Sequence, residues 1–196
     1  MARRTKILVS VVAIAAVAGL TVWGIASGGE SVDPGAGNPE SQAIDYEQAL
    51  ADAPPALAEL YAEGDALIPG GADELQSQLD RLAGYPVVVN VWASWCGPCR
   101  AEFPDFQQVS ADRGDEVAFL GVDALDTDPA AENFLEELPL PYPSVTDPDE
   151  QVKREYGIRG YPATAFFNAD GELVHLKQGP YTSRQDLEGD LERYAQ

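Results

Sequence analysis

The sequence predicts an α/β domain, a mixed central sheet flanked by helices, preceded by an N-terminal transmembrane helix and a helical extension. Three observations carry this. An apolar run rich in β-branched residues, Val87, Val88, Val89 and Val91, reads as a buried strand that leads directly into a helix start at Pro98. A second buried run, VAFLGV over 117–122, follows after a helical stretch. The chain then closes with a strand, an Asn168-Ala169-Asp170-Gly171 turn, a return strand and an amphipathic helix.

Residues 1–26 differ from the rest. Arg3, Arg4 and Lys6 form a basic start, and residues 7–26 are twenty residues without a charge. Twenty helical residues span about 30 Å, a bilayer core. Basic residues stay cytoplasmic, so an anchor here places the C-terminal bulk outside the membrane. Ala16-Val17-Ala18 offers a cleavage site for the competing reading, a secretory signal, which leaves a secreted domain. The sequence stays apolar beyond that site, through Leu20, Val22, Trp23 and Ile25, which favours the anchor. Either way the domain is exported. Residues 27–43, rich in Gly, Ser, Pro and acids, read as a flexible linker.

Residues 44–196 form the expected domain, and 44–84 its helical N-terminal extension. Pro54-Pro55 starts a helix with Leu57, Leu60 and Tyr61 on one face. Pro69-Gly70-Gly71 interrupts the pattern, and Asp73 and Glu74 open a second helix with Leu75, Leu79 and Leu82 aligned. No β-hairpin is legible in this segment.

The strand from Val87 ends in Trp95-Cys96-Gly97-Pro98-Cys99, and Arg100, Glu102 and Phe103 continue helically. Cys96 is thereby placed at a helix N-terminus. The dipole and the free N–H groups there favour a thiolate, the nucleophile of disulfide exchange. Thiols so placed have pKa values of roughly 3.5 to 7.5. The three-residue offset lets Cys99 resolve a mixed disulfide on Cys96. WCGPC after a hydrophobic strand resembles thioredoxin. The longer string from Asn90 to Pro104, N-x-W-A-S-W-C-G-P-C-R-A-E-F-P, resembles more closely the membrane-tethered TlpA/ResA-type thiol–disulfide oxidoreductases. The resemblance implies a thioredoxin-like fold from about Leu82 to the C-terminus. Such domains usually carry a hairpin ahead of this strand, so the extension departs from the pattern.

Beyond it, the helix is expected over 98–111, bent at Pro104. Asp128-Pro129 caps and starts a helix to Glu137. Asp147-Pro148-Asp149-Glu150 reads as a D-x-x-E capping box for a helix to Tyr156. Residues 163–167 and 172–177 are the hairpin strands. Residues 183–194 form the final helix, with Leu187 and Leu191 on one face.

The chemistry concentrates on few residues. Cys96 and Cys99 are the only cysteines, so no structural bridge competes with their redox pairing. A zinc site would need four ligands, and the chain offers two thiols and the distant His175, which reads as an exposed strand residue. Glu102 lies three residues beyond Cys99 on the same helical face, where a buried carboxylate can exchange a proton with Cys99. The resemblance implies the same role, because that position carries a functional glutamate in ResA-type proteins. Asn90 stands where thioredoxins have a buried aspartate, which adds weight to Glu102. Gly160-Tyr161-Pro162-Ala163-Thr164 resembles the loop that faces the cysteines with a cis proline, here Pro162. Tyr161's backbone is then free to pair with an extended substrate. Trp95, Gly97, Pro98, Tyr161 and Pro162 are the substrate-facing set. Trp92 reads as core or as part of that face, and Arg100 as a solvated residue or a charge near the thiolate.

Thirty-three acids against twelve bases give a net charge of −21, which excludes nucleic acid as a partner. Dithiol exchange uses no cofactor and no metal. The expected partners are protein thiols and disulfides, together with a membrane redox protein that supplies or removes electrons. The resemblance implies a reductase, often of apocytochrome c heme-attachment cysteines. A disulfide-forming oxidase of the same fold is the alternative, and a non-catalytic metal-bridging module a more distant one.

Overall fold

The computed structural model describes residues 44–196. The expected anchor or signal (1–26) and linker (27–43) lie outside the described residues. Among the described residues no helix is long and apolar enough to cross a membrane.

Six strands form one mixed sheet in the order β1-β4-β3-β2-β5-β6. In chain order they are β1 (Leu67–Pro69), β2 (Val87–Trp92), β3 (Ala118–Ala124), β4 (Ser144–Asp147), β5 (Ala163–Phe167) and β6 (Leu173–Gln178). The first four run parallel, β5 pairs antiparallel with β2, and β6 antiparallel with β5. The helices are α1 (Tyr46–Ala49), α2 (Pro55–Ala62), α3 (Gly71–Arg81), α4 (Gly97–Arg113), α5 (Asp128–Glu137), α6 (Gln151–Tyr156) and α7 (Arg184–Tyr194). Every residue of β2 and β3 is buried, as expected of central parallel strands covered on both faces.

The expected elements from Val87 onward are present, with shifted ends. β2 closes at Trp92, three residues before Trp95. Helix α4 runs to Arg113 with Pro104 inside it. Thr127, and not Asp128, occupies the N-cap of α5. Two strands were not expected. β1 is a three-residue edge strand ending in Pro69, and edges tolerate proline because its missing donor leaves no ladder bond unmade. β4 joins β1 to β3, and its Asp147 changes the start of α6. The capping box does not form, because Asp147 ends a strand and Glu150 takes a left-handed backbone (φ 54°). Asp147's carboxylate instead accepts the N–H groups of Gln151 (2.7 Å) and Val152 (2.9 Å).

The N-terminal extension belongs to the core. Leu57 and Leu60 of α2 are buried, and the Tyr61 hydroxyl bridges two backbone groups at the start of β3. It donates to Val117 O (2.8 Å) and accepts from Phe119 N–H (3.3 Å). His175 is half-buried and stacked on Tyr194 of α7, with centroids 4.0 Å apart. The sequence suggested an exposed residue there; α7 covers that part of β6.

Gly121 fixes how closely β3 and β4 pack under Trp92. A Cβ there would lie 1.9 Å from Ser144 Oγ and 2.9 Å from Trp92 Nε1, and these two atoms are hydrogen-bonded to each other at 3.2 Å. Gly121→Ala is expected to lower unfolding free energy by about 1–3 kcal/mol, the usual range for overpacking. Adding Ser144→Gly should return part of it. Urea denaturation checks both, and an unchanged midpoint for the single variant contradicts the packing.

Candidate active site

The site forms where β2 passes into α4. Cys96 is the N-cap of α4 and Pro98 lies in its first turn. The fixed φ of proline and its absent N–H suit that turn, so the sequence sets the helix start beside the first thiol. Cys96 and Cys99 form a disulfide with an S–S distance of 2.01 Å. Cys96 Sγ also accepts the Cys99 N–H at 3.2 Å. In the reduced protein this donor and the helix dipole act on Cys96 Sγ, lowering the energy of its thiolate. Cys96 is 4% exposed and Cys99 0%, so only the first sulfur approaches the surface.

Glu102 sits one turn below Cys99 and is 1% exposed. Its Oε1 accepts from Asn90 Nδ2 and its Oε2 from Tyr181 N–H, each at 2.9 Å. Burial pushes its pKa up to about 7, against the pull of these two hydrogen bonds and of Lys177, with Asp105 adding to the rise. The carboxyl can therefore hold or release a proton near neutrality, which suits it to general acid–base work.

The opposing loop carries a cis Tyr161–Pro162 bond. Among the described residues no hydrogen bond takes up the backbone N–H or C=O of Tyr161. Its ring meets Trp95 edge-on, centroids 5.9 Å apart. Trp95 is 59% exposed and Leu125 48%, so the disulfide has an aromatic and aliphatic rim. The seats of the two aromatic rings are unusual. Trp95 Nε1 donates to Leu125 O at 3.0 Å, and the Tyr161 hydroxyl donates to Glu150 Oε1 at 2.9 Å. Leu125 (φ 53°) and Glu150 (φ 54°) are the two non-glycine residues of left-handed backbone among those described. Such conformations are held only where surroundings over-determine them, and they concentrate at functional sites. Hydrogen bonds from Lys153 and Tyr161 keep the Glu150 carboxyl low.

The structure thus gathers Trp95, Cys96, Gly97, Pro98, Cys99, Glu102, Tyr161 and Pro162 at one end of the sheet. Trp92 is core, fully buried between Phe103 and Phe134. Arg100 turns away from the thiols: it pairs with Glu137 at 2.7 Å and lies over the Phe134 ring at 4.6 Å. Sequence reasoning missed Leu125, Glu150 as the anchor of Tyr161, and Asp123. Asp123 is 2% exposed at the end of β3, and burial, then the nearby Asp126, push its pKa up to about 8. Its only signal in the sequence is an acid closing the apolar run from Val117.

The comparisons agree with this geometry. The family model described as Redoxin matches residues 63–191. The thiol-disulfide oxidoreductase ResA of Oceanobacillus iheyensis is 34% identical over 142 residues, 67% of this chain and 72% of its own. The thiol:disulfide interchange protein HelX of Rhodobacter capsulatus is 34% identical over 130 residues, 66% of this chain and 72% of its own. The solved structure of a secreted Mycobacterium tuberculosis disulfide oxidoreductase, homologous to E. coli DsbE, is 28% identical with a TM-score of 0.53, over 58% of this chain and 85% of its own. Family match, architecture and paired thiols converge, and the chain belongs to the Redoxin family as a thiol–disulfide oxidoreductase of the ResA and DsbE kind, on a thioredoxin-like fold.

Proposed function

We propose that the protein is an extracytoplasmic, membrane-tethered reductase of protein disulfides. The Cys96 thiolate attacks a substrate disulfide, forming a mixed disulfide and releasing one substrate thiolate. Cys99 then attacks Cys96 and releases the second substrate sulfur. Glu102 takes the proton that Cys99 loses and returns it when the disulfide is reduced again. One observation carries the dithiol chemistry: a carboxyl buried one turn below Cys99 on the same helix, its pKa pushed up to about 7. The Gly97-Pro98 dipeptide, shared with reducing thioredoxins, supports the direction. The basic, apolar N-terminal segment supports the tether and export. Outside the cytoplasm thiol reductant is scarce, so a membrane redox protein supplies the electrons. Substrates are exported proteins with cysteine pairs, and apocytochrome c heme-attachment cysteines are the first to test.

The test is the reduction potential of the Cys96–Cys99 couple in the full chain, by equilibration in redox buffers and thiol trapping. A value near about −250 mV or lower supports the reductase, and one near about −120 mV overturns it in favour of an oxidase.

Glu102→Gln is expected to slow exchange about a hundredfold at neutral pH and to flatten its pH dependence near 7. Stability moves the other way. The folded pKa of Glu102, about 7, lies above its ordinary 4.5, so the folded protein binds the proton more tightly than the unfolded chain. That contribution is full below about pH 4.5 and is lost as pH rises through about 7. The glutamine variant should therefore lose less stability than the parent on the alkaline side, by on the order of 3 kcal/mol. Urea melts at pH 5 and pH 8 measure it, and equal losses in both proteins contradict the buried carboxyl.

A further inference from the structure

Asp123 is a buried acid that the dithiol chemistry leaves unused. It lies at the end of β3 between Trp92 of β2 and Thr146 of β4. One of its oxygens, Oδ1, is buried and accepts no hydrogen bond. A buried carboxylate without donors is costly, so such a group is neutral or paired. Asp126, three residues on, faces it within hydrogen-bond reach. Two carboxyl groups in contact hold a proton between them, because like charges so close do not both ionise.

The surrounding donors decide where that proton sits. Asp126 Oδ2 accepts the Ser94 N–H at 2.6 Å, and its Oδ1 accepts the Thr127 N–H at 2.9 Å. Both oxygens of Asp126 therefore meet donors, which favour the charged form. Asp123 Oδ1 meets none. The proton rests on Asp123, whose hydroxyl donates to the Asp126 carboxylate. The charges acting on Asp123 are those of Asp126 and, on α5, Asp128, both negative. Its strand neighbours Trp92 and Thr146 carry no charge, and Asp147 at the end of β4 gives its carboxylate to the N–H groups of Gln151 and Val152.

This short segment holds the approach to Cys96 at two points. Besides the Asp126 bond to Ser94, Leu125 O accepts from Trp95 Nε1 at 3.0 Å. Ser94 and Trp95 lie in the turn that the Cys96 N–H closes on Ala93 O at 3.1 Å. A shift of Asp126 therefore reaches the exposed Trp95 ring and the turn that ends on the first thiol.

We propose that Asp123 and Asp126 share one proton, and that this pair is a positioning device for the loop that presents Trp95 and Cys96 to the substrate. With the proton in place, Asp123 braces the carboxylate that holds Ser94. When the proton leaves to water, two anions face each other. Asp126 then withdraws from Ser94, and the adjoining Leu125 seat of Trp95 loosens. Burial, then Asp126, hold the Asp123 pKa up at about 8, so the loop is braced through neutrality and released on the alkaline side. The inference depends neither on Glu102 nor on the direction of exchange.

The experiment is a pH titration of the ¹⁵N-labelled full chain by N–H NMR, in the disulfide form, where neither cysteine titrates. Trp95→Phe assigns the Trp95 indole signal by removing it. In the parent this signal and the Ser94 amide should move together with a midpoint near pH 8. Asp123→Asn keeps a donor toward Asp126 and cannot ionise, so both signals should hold their neutral positions to about pH 9. Asp126→Asn removes the facing charge, and the Trp95 step should move down by about one pH unit. In turnover, KM for a disulfide-bonded peptide should rise between neutrality and about pH 9 more than about threefold further in the parent than in Asp123→Asn, with kcat tracking in the two. The shared proton is overturned by a parent without the step, by a parent-like step in Asp123→Asn, or by an unmoved midpoint in Asp126→Asn. A step that vanishes in Asp123→Asn while KM follows the parent overturns the positioning role.

Discussion

Cys96→Ser is expected to reduce turnover of protein disulfides below detection. The N-cap position and the Cys99 N–H stabilise charge on whatever atom stands at Cys96 Sγ. A thiol ionises there at accessible pH, whereas a serine hydroxyl does not, so the helix end has nothing to activate. Cys99→Ser should behave differently. Attack by Cys96 survives, resolution does not, and a covalent adduct with the substrate accumulates. Reduction of a disulfide-bonded peptide with dithiothreitol as electron donor measures the first variant, and intact-mass analysis without reductant measures the second. Turnover retained by Cys96→Ser would sink the assignment. An adduct formed by Cys96→Ser but not by Cys99→Ser would exchange the two roles.

The second large effect concerns stability. Trp92→Ala is expected to lower unfolding free energy by about 3–5 kcal/mol. Typical domains hold only about 5–15 kcal/mol in total, so this variant approaches the folding threshold. Trp92 is fully buried, stacked on Phe134 at 5.1 Å and edge-on to Phe103 at 5.4 Å, while Phe103 and Phe134 meet at 4.8 Å. Truncation leaves a cavity between three elements and strips the Ser144 hydroxyl of its donor. Trp92→Phe keeps most of the ring contact and should lose distinctly less. Urea denaturation of the disulfide form measures both, and a loss under about 1 kcal/mol for the alanine variant contradicts this account.

Much of the site was legible because its signals are local. The β-branched run before Trp92, the proline inside the C-x-x-C and the three-residue step to Glu102 all act within a few residues. The opposing loop was legible by resemblance, through the Tyr161-Pro162 pair. What escaped depends on residues far apart in the chain. β1 and β4 are three and four residues long and exist because they pair with strands distant in the chain, Leu67 and Gly121 each with Ser144, so neither shows a period of its own. Asp147 could not be recognised as the acceptor of the first N–H groups of α6 without knowing that a strand ends on it. Leu125 looks like any loop leucine until Trp95, thirty residues earlier, is seen bonded to its carbonyl.

The left-handed seats at Leu125 and Glu150 hold the two aromatic rings of the rim from outside the sheet. Both lie in loops outside the sheet, and neither contributes a group to the dithiol or to Glu102. Leu125 and Glu150 both donate a backbone N–H to Asp147 O, so changes at the two positions couple to each other. A library randomised at Leu125 and Glu150 together would vary the seats of Trp95 and Tyr161 while leaving Cys96, Cys99 and Glu102 themselves unchanged.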